Sequence, residues 1–129
     1  METVYFPIKQ FPGSLEESNY FQFFCTKTTS QLSGLFGSTF WNQEVLQASV
    51  LQPAIWHAAV AVASLQQERS ATICKIAEED GLLSDFPLSQ YVKAMQHLRG
   101  FYTEGRKPAA EVVLLCCILF ICFEVSYGF

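Results

Sequence analysis

Charged residues are scarce in this sequence. Only 16% of its 129 residues are charged, against roughly 25% in ordinary soluble domains. The eight Lys and Arg residues are scattered, with Arg106-Lys107 as their one adjacent pair, and the net charge is −4. Because binding to phosphates needs several converging cations, we expect no direct contact between this segment and nucleic acid, and no DNA-binding residue is predicted.

Cysteines in the CxxC spacing of metal and redox sites are also missing. The five cysteines are Cys25, Cys74, Cys116, Cys117 and Cys122, and no two of them stand in a CxxC spacing. Their odd number and irregular spacing argue against a disulfide framework. Zinc needs four converging ligands, whereas Cys116 and Cys117 would point about 100° apart on a helix. The pattern therefore predicts free, reduced thiols that pack in the core. It predicts no metal and no cofactor.

No apolar run is long enough to cross a membrane. The longest is residues 112–123, between Glu111 and Glu124, whereas a spanning helix needs about 20 residues. Residues 1–24 lack the basic start and the continuous apolar stretch of a signal peptide. From these absences alone we expect a cytoplasmic protein that is neither secreted nor membrane-embedded.

Catalytic sets are absent from the sequence as well. His57, Ser64 and Glu68 share a stripe of one predicted helix, but seven residues separate His57 from Ser64, about 10 Å along the axis. Hydrogen-bond reach is about 3 Å, so this stripe is predicted to face solvent or a partner. The acidic cluster 78–80 lacks the alternating oxygen ligands of a calcium loop. No catalytic residue is predicted, and the chain is expected not to be an enzyme.

What the sequence does contain is apolar residues at helical spacing. Ser14 and Glu17 form a capping-box pattern that begins a first helix, which Gly37 can end in a left-handed conformation. Its apolar stripe comprises Phe21, Phe24, Thr28, Leu32 and Leu35, opposite Gln22, Thr26, Thr29 and Ser33. A second helix, 40–52, places Trp41, Val45 and Ala48 together, with Leu46 and Val50 on the other side.

Two further helices follow. The third runs from Pro53 to about residue 70, with Ile55, Ala58, Ala59, Val62 and Leu65 on one face and Trp56, Val60 and Ala63 on a second edge. After a connection over 71–86, Pro87 opens a fourth helix that stops near Gly105. Its apolar face comprises Leu88, Tyr91, Ala94, Met95, Leu98, Phe101 and Tyr102, and Ser89, Gln90, Lys93, Gln96 and an exposed His97 lie opposite.

The fifth helix, 108–126, is apolar on every side. One face carries Val112, Cys116, Leu119 and Phe123, and the opposite face carries Leu114, Ile118, Ile121 and Val125. Leaving the second face in water would forgo about 6–12 kcal/mol, and whole domains are stable by only about 5–15 kcal/mol. We therefore expect another chain to cover this face, or the domain to be incomplete.

Together these elements predict an all-α fold: a multi-helical orthogonal or antiparallel array of about five helices. The third and fourth helices are expected to form an antiparallel pair flanked by the others. The packing positions are predicted to be Trp41, Ile55, Val62, Tyr91, Leu98 and Leu119. The aromatic residues Trp41, Trp56, Tyr91, Phe101 and Tyr102 could also line an effector pocket, but their helical spacing favours a core.

Several short motifs occur in an order that resembles a known family. They are Tyr20-Phe21-x-Phe23-Phe24, Leu32-Ser33, Phe40-Trp41, Val45-Leu46-Gln47-Ala48-Ser49, Gln52-Pro53-Ala54-Ile55-Trp56-His57-Ala58, Tyr91-x-x-Ala94-x-x-x-Leu98-Arg99 and Leu114-Leu115 with Phe120, Phe123-Glu124 and Gly128. Over residues 18–128 this series is similar to the fungal-specific transcription factor domain, the middle homology region of zinc-cluster regulators.

The resemblance implies a regulatory role without DNA contact. In that family the helical region modulates activation and responds to effectors or protein partners, while a separate module with CxxC pairs reads DNA. The resemblance divides the chain into an extended N-terminal segment, 1–17, and a partial regulatory region, 18–129. It implies a nuclear location, partners that are copies of itself or other regulators, and an unspecified small-molecule effector. A helical adaptor that docks its last helix on a partner is the alternative, and a small α-helical enzyme ranks last.

Overall fold

The computed structural model describes residues 13–34, 36–74, 85–103, 105 and 110–127. The elements are α1 (Leu15–Phe23), a first π-helical segment (Phe24–Thr28), α2 (Thr29–Leu32), α3 (Gly37–Thr39), a second π-helical segment (Phe40–Val45), α4 (Leu46–Leu51), α5 (Pro53–Cys74), α6 (Phe86–Thr103) and α7 (Ala110–Tyr127). The first three form one continuous helical run, and the next three form another. The described residues therefore make five helices and no strand, which confirms the all-α fold.

The first helix begins with the predicted capping box. The Glu17 backbone N–H donates to Ser14 Oγ and the Ser14 backbone N–H donates to Glu17 Oε1, both at 3.2 Å. These two bonds satisfy backbone donors that the first turn would otherwise leave unpaired. Helix α1 starts at Leu15, directly after the Ser14 cap.

The first π-helical segment changes which side of the helix is buried. Phe21, Phe24 and Thr28 are buried as predicted, but Thr29 is also buried, at 2% exposure, where the sequence placed it on the polar side. The Thr29 N–H bonds to the Phe24 carbonyl five residues earlier, and this wider turn rotates all later residues relative to an α-helix. Leu35 lies outside the described residues.

The turn between the first two helical runs uses two left-handed residues. Gly37 has the predicted left-handed conformation, with a φ of 86°, but it begins α3 and does not end the first helix, which already ends at Leu32. Phe36 shares the left-handed conformation, with a φ of 67°. Such a φ is uncommon for a residue with a side chain, and nothing in the sequence indicated it.

The second helical run buries Trp41 and Val45 as predicted, but it also buries Leu46. Leu46 was predicted to lie on the other side, and that prediction was wrong. The π-helical segment Phe40–Val45 comes directly before it and rotates Leu46 toward the core. The run begins at Gly37, three residues before the predicted start.

Helix α5 is the centre of the molecule. It begins at Pro53 as predicted and continues to Cys74, four residues beyond the predicted end. From Ala54 to Leu65 every residue except His57 is buried, because α5 contacts α1, α4, α6 and α7. The stripe of His57, Ser64 and Glu68 was predicted to face solvent or a partner. For Ser64 this prediction was wrong, since Ser64 is fully buried within its own chain.

The contact between α5 and α6 is the most extensive between any two described elements. This confirms the pairing, and its antiparallel direction stays a prediction. The buried side chains of α6 include Gln90 and Ala94, whereas Leu88 and Met95 are 39% and 41% exposed. The buried face of α6 is therefore rotated relative to the predicted one. It includes Gln90, which donates a hydrogen bond to a buried carboxylate. Gly105, near which the helix was predicted to stop, has a φ of 75°.

Helix α7 is divided as its sequence predicts. Val112, Cys116, Leu119 and Phe123 are buried. On the opposite face Leu114, Ile121 and Val125 are 59%, 62% and 73% exposed, and Ile118 is half-buried against the core. Within the described ranges, no helix combines the length and apolar character needed to cross a bilayer.

Candidate functional site

Glu17 lies at the junction of α1, α5 and α6 and is buried, with 6% exposure. Its Oε1 atom accepts hydrogen bonds from the Ser14 backbone N–H and from the indole Nε1–H of Trp56, each at 3.2 Å. Its Oε2 atom accepts a bond of 2.8 Å from Gln90 Nε2. One carboxylate therefore caps its own helix and binds a side chain from each of two other helices.

Gln90 also forms a hydrogen bond with His57. Its Oε1 atom lies 2.7 Å from His57 Nδ1. Because the carboxylate of Glu17 can only accept, the amide nitrogen of Gln90 must face Glu17 and its oxygen must face the imidazole. His57 Nδ1 therefore carries the proton, and in the neutral imidazole Nε2 is the acceptor.

Two basic side chains lie close to the carboxylate of Glu17. Lys93 Nζ and His57 Nδ1 lie 3.7 Å and 3.8 Å from Glu17 Oε2. Burial raises the pKa of Glu17, but the hydrogen bonds from Gln90, Trp56 and Ser14 and the charge of His57 outweigh burial and hold the pKa below its ordinary value of 4.5. Glu17 is consequently ionised at neutral pH, which is the form that its donors require.

His97 covers the outer side of this cluster. Its ring stacks on that of His57, with centroids 5.1 Å apart and an interplanar angle of 11°. His97 is exposed, as predicted, but this stacking was not. The partial burial of its ring, followed by the charges of His57 and Lys93, lowers the pKa of His97. Protonation of His97 is therefore disfavoured in the fold.

The cluster contains no activated nucleophile. Ser64 is fully buried and its hydroxyl donates to the Ala61 carbonyl at 3.1 Å, within its own helix. The structure thus gives Ser64 a backbone partner and His57 an amide partner. Nothing in this arrangement supplies the nucleophile–base pair of covalent catalysis. Its chemistry is the cross-linking of three helices by charge-assisted hydrogen bonds.

Of the residues in this cluster, only Glu17 could be identified from a sequence motif. The capping box identified Glu17, but its partners Trp56 and Gln90 are 39 and 73 residues away. A glutamine on the predicted polar side of α6 gives no sign that it turns inward. Helical spacing likewise gives no sign that His57 contacts Gln90.

The three cysteines of α7 diverge as their positions on a helix require. Cys116 is buried, Cys117 is exposed and Cys122 is half-buried. Burial raises the pKa of Cys25 and that of Cys116 to about 12, so both thiols are protonated at neutral pH. In the part of the chain that the structure describes, no group of three His, Cys, Asp or Glu residues is placed to hold a metal ion.

The aromatic residues considered for a pocket pack mainly in the core. Trp41 and Trp56 are at most 1% exposed, as the core interpretation predicted. Tyr91 is half-buried, and its ring stacks on Phe123 with centroids 4.4 Å apart. Its hydroxyl donates to Glu124, which joins α6 to α7. Phe101 is half-buried, and the side chain of Tyr102 lies outside those described.

The outer face of α7 is the second candidate site. An exposed row, hereafter the α7 stripe, consists of Ala110, Leu114, Cys117, Ile121 and Val125. From Ala110 to Val125 the stripe covers 16 positions, or about 22 Å of helix. All of them are apolar or weakly polar, so the stripe offers contact area but few hydrogen bonds. It is suited to packing against another apolar surface.

Comparison with known proteins identifies no relative: no protein-family model, no curated protein and no solved structure matches the chain. The similarity of residues 18–128 to the fungal-specific transcription factor domain therefore stays a prediction.

Proposed function

We propose that this chain is part of the regulatory region of a transcription regulator and that it acts through protein–protein contacts rather than by binding DNA. The observation that carries the proposal is the exposed α7 stripe. The order of motifs over residues 18–128, which resembles the fungal regulators, supports the transcriptional role. The scattered cations of a chain with a net charge of −4 support the absence of DNA contact.

The size of the exposed apolar surface supports a partner. Fully burying an aliphatic side chain is worth about 1.5–3 kcal/mol, and Leu114, Ile121 and Val125 each retain more than half of their exposure. Covering these three side chains would contribute about 3–6 kcal/mol. That is comparable with the net stability of a small domain, so a partner that covers the stripe gains a substantial part of its binding free energy there.

The alternative is an adaptor unrelated to transcription. It would use the same α7 stripe and differ only in its partner, so the surface alone does not separate the two functions. A tethering experiment does. The chain is fused to a heterologous DNA-binding module upstream of a reporter gene, and reporter output is compared with that of the module alone.

A regulator should change the reporter output when it is tethered, and Ile121→Lys should abolish most of that change. Val92→Lys is the matched control, because Val92 is an exposed apolar residue on α6, at 40% exposure, outside the stripe. Equal protein levels are checked by immunoblotting, and a fluorescent fusion should locate to the nucleus. A tethered wild-type chain that leaves the reporter unchanged would overturn the transcriptional role. A wild-type effect that survives Ile121→Lys would overturn the role of α7.

A further inference from the structure

The α7 stripe has the spacing of a helix–helix seam. Ala110, Leu114, Cys117 and Ile121 follow one another at intervals of four, three and four residues. This alternation keeps side chains on the line along which a second helix packs. Val125 extends the line by one more turn. The exposed face of any helix has this spacing; here the face is apolar over about four turns, so a second helix can pack along its whole length.

The two carboxylates of α7 border this seam. Glu111 and Glu124 are both exposed, and at 100° per residue they lie about 80° and about 60° from the centre of the stripe, on opposite edges. Helix α7 contains no Lys, Arg or His. Among the described residues neither carboxylate is in an ion pair, and Glu124 accepts only the hydroxyl of Tyr91. Each end of the seam therefore presents a negative charge.

A second copy of α7 is a poor match to this charge pattern. Helix α7 contains no Lys, Arg or His, so a pair of α7 helices, parallel or antiparallel, would carry four carboxylates along its seam and no cation. Glu111 and Glu124 would therefore gain no opposite charge, although charges of opposite sign at such edge positions are what favours pairing.

We infer, on the basis of the proposed function, that the α7 stripe binds an amphipathic helix of another protein. That helix carries apolar side chains at intervals of three and four residues, with a Lys or Arg beside each end of its seam. The apolar side chains cover Leu114, Cys117 and Ile121. The basic side chains meet Glu111 and Glu124. This occupant satisfies both the spacing and the charge of the surface.

Three synthetic helical peptides test this inference on the full chain. They share one apolar seam and differ only at the bordering positions, which carry Lys, Gln or Glu. Binding is measured by fluorescence anisotropy at low and at high salt. The Lys peptide should bind tightest, about fivefold tighter than the Gln peptide, and this advantage should shrink at high salt.

Variants of the chain separate the two contributions. Ile121→Ser should weaken binding of the Lys peptide about tenfold. The double variant Glu111→Gln and Glu124→Gln should leave binding of the Gln peptide unchanged and remove the advantage of the Lys peptide. Val92→Ser is the control for an exposed apolar residue outside the seam. Circular dichroism confirms that each variant retains its helices.

Three results would overturn the inference. They are equal binding of all three peptides, binding of none, or a discrete dimer that depends on Ile121 and that the Lys peptide does not dissociate. If the peptides fail while the tethered reporter still depends on Ile121, the helical partner is wrong and the proposed function stands. If the peptides bind as expected while the tethered chain leaves the reporter unchanged, the surface is correct and the transcriptional role is wrong.

Discussion

Glu17 shows how one side chain can serve two levels of structure. As the third residue of α1 it completes a capping box, a local interaction that any sequence with this pattern can make. As a buried carboxylate it also binds Trp56 of α5 and Gln90 of α6. Losing the carboxylate would therefore remove a helix cap and leave buried donors unpaired at the same time.

Gly13 is the residue that leaves room for this carboxylate. A Cβ atom at position 13 would overlap Glu17 Oε1 and the indole ring of Trp56. Gly13→Ala should lower the stability by about 1–3 kcal/mol, as overpacking of a filled interior does, and chemical denaturation measures the change. The control is Gly34→Ala, since an added Cβ there meets nothing within 4 Å. Equal effects of the two substitutions would contradict the close packing around Glu17.

The polar cluster should make the protein sensitive to acid. The pKa of His97 is lowered by partial burial and by neighbouring charges, so as the pH falls through 6.5 the unfolded chain takes up a proton that the folded chain resists. The pKa of Glu17 is also lowered in the fold, so its contribution is present above pH 4.5 and is lost as the pH falls further. Both effects reduce stability in the same direction, first below about pH 6.5 and again below about pH 4.5.

Thermal melts at a series of pH values check this expectation. His97→Gln should flatten the fall in Tm between about pH 7 and pH 5, and should leave the fall at lower pH in place. Glu17→Gln should lower Tm at neutral pH and flatten the fall below about pH 4.5. A wild-type Tm that stays constant from pH 7 to pH 4 would show that neither group is coupled to folding.

The residues that sequence patterns described correctly are those whose partners are local or apolar. The capping box at Ser14 and the buried face of α7 through Cys116 depend only on helical spacing. Gln90 was placed wrongly because its inward position depends on Glu17, which is 73 residues away. A pattern that sorts residues by polarity cannot identify a polar side chain that is buried to meet a charge.

At the scale of elements, the two π-helical segments explain why the burial of Thr29 and Leu46 was predicted wrongly. Spacing at 3.6 residues per turn assumes an unbroken α-helix. The wider turns at Phe24–Thr28 and Phe40–Val45 rotate everything after them, which brings Thr29 and Leu46 into the core. The existence and order of the helices could be predicted, whereas the face that each one buries required knowledge of these local departures.

Helix α6 contains a glycine that costs it stability. Gly100 lies within the last turns of α6, and an added Cβ there meets nothing within 4 Å. Gly100→Ala should therefore stabilise the fold by about 0.5–1 kcal/mol, because glycine is a poor helix former. Gly105→Ala should do the opposite, since Gly105 has a φ of 75°, where an L side chain is strained. Urea denaturation of both variants tests the signs, and a stabilising Gly105→Ala would contradict the turn after α6.

At the scale of the whole molecule, the helices are not covered equally. Helix α5 is enclosed by α1, α4, α6 and α7, so its apolar residues between Ala54 and Leu65 are all buried. Helix α7 is as apolar but is covered on one face, with Ile121 and Val125 on the other. The sequence identified α7 as apolar all round. Which face the chain itself covers became evident only from the packing of Phe123 and Leu119 against the core.

The isolated chain should therefore associate or bind a dye that reports exposed apolar surface. Ile121→Lys should reduce both effects without lowering the free energy of unfolding, because residue 121 is 62% exposed and lysine is a good helix former. Val92→Lys on α6 should reduce them less, since Val92 lies outside the α7 stripe. Light scattering measures association, dye fluorescence measures the exposed surface, and urea denaturation measures stability. A monomeric wild-type chain that melts cooperatively and binds no dye would mean that the α7 stripe is too weakly apolar to require a partner.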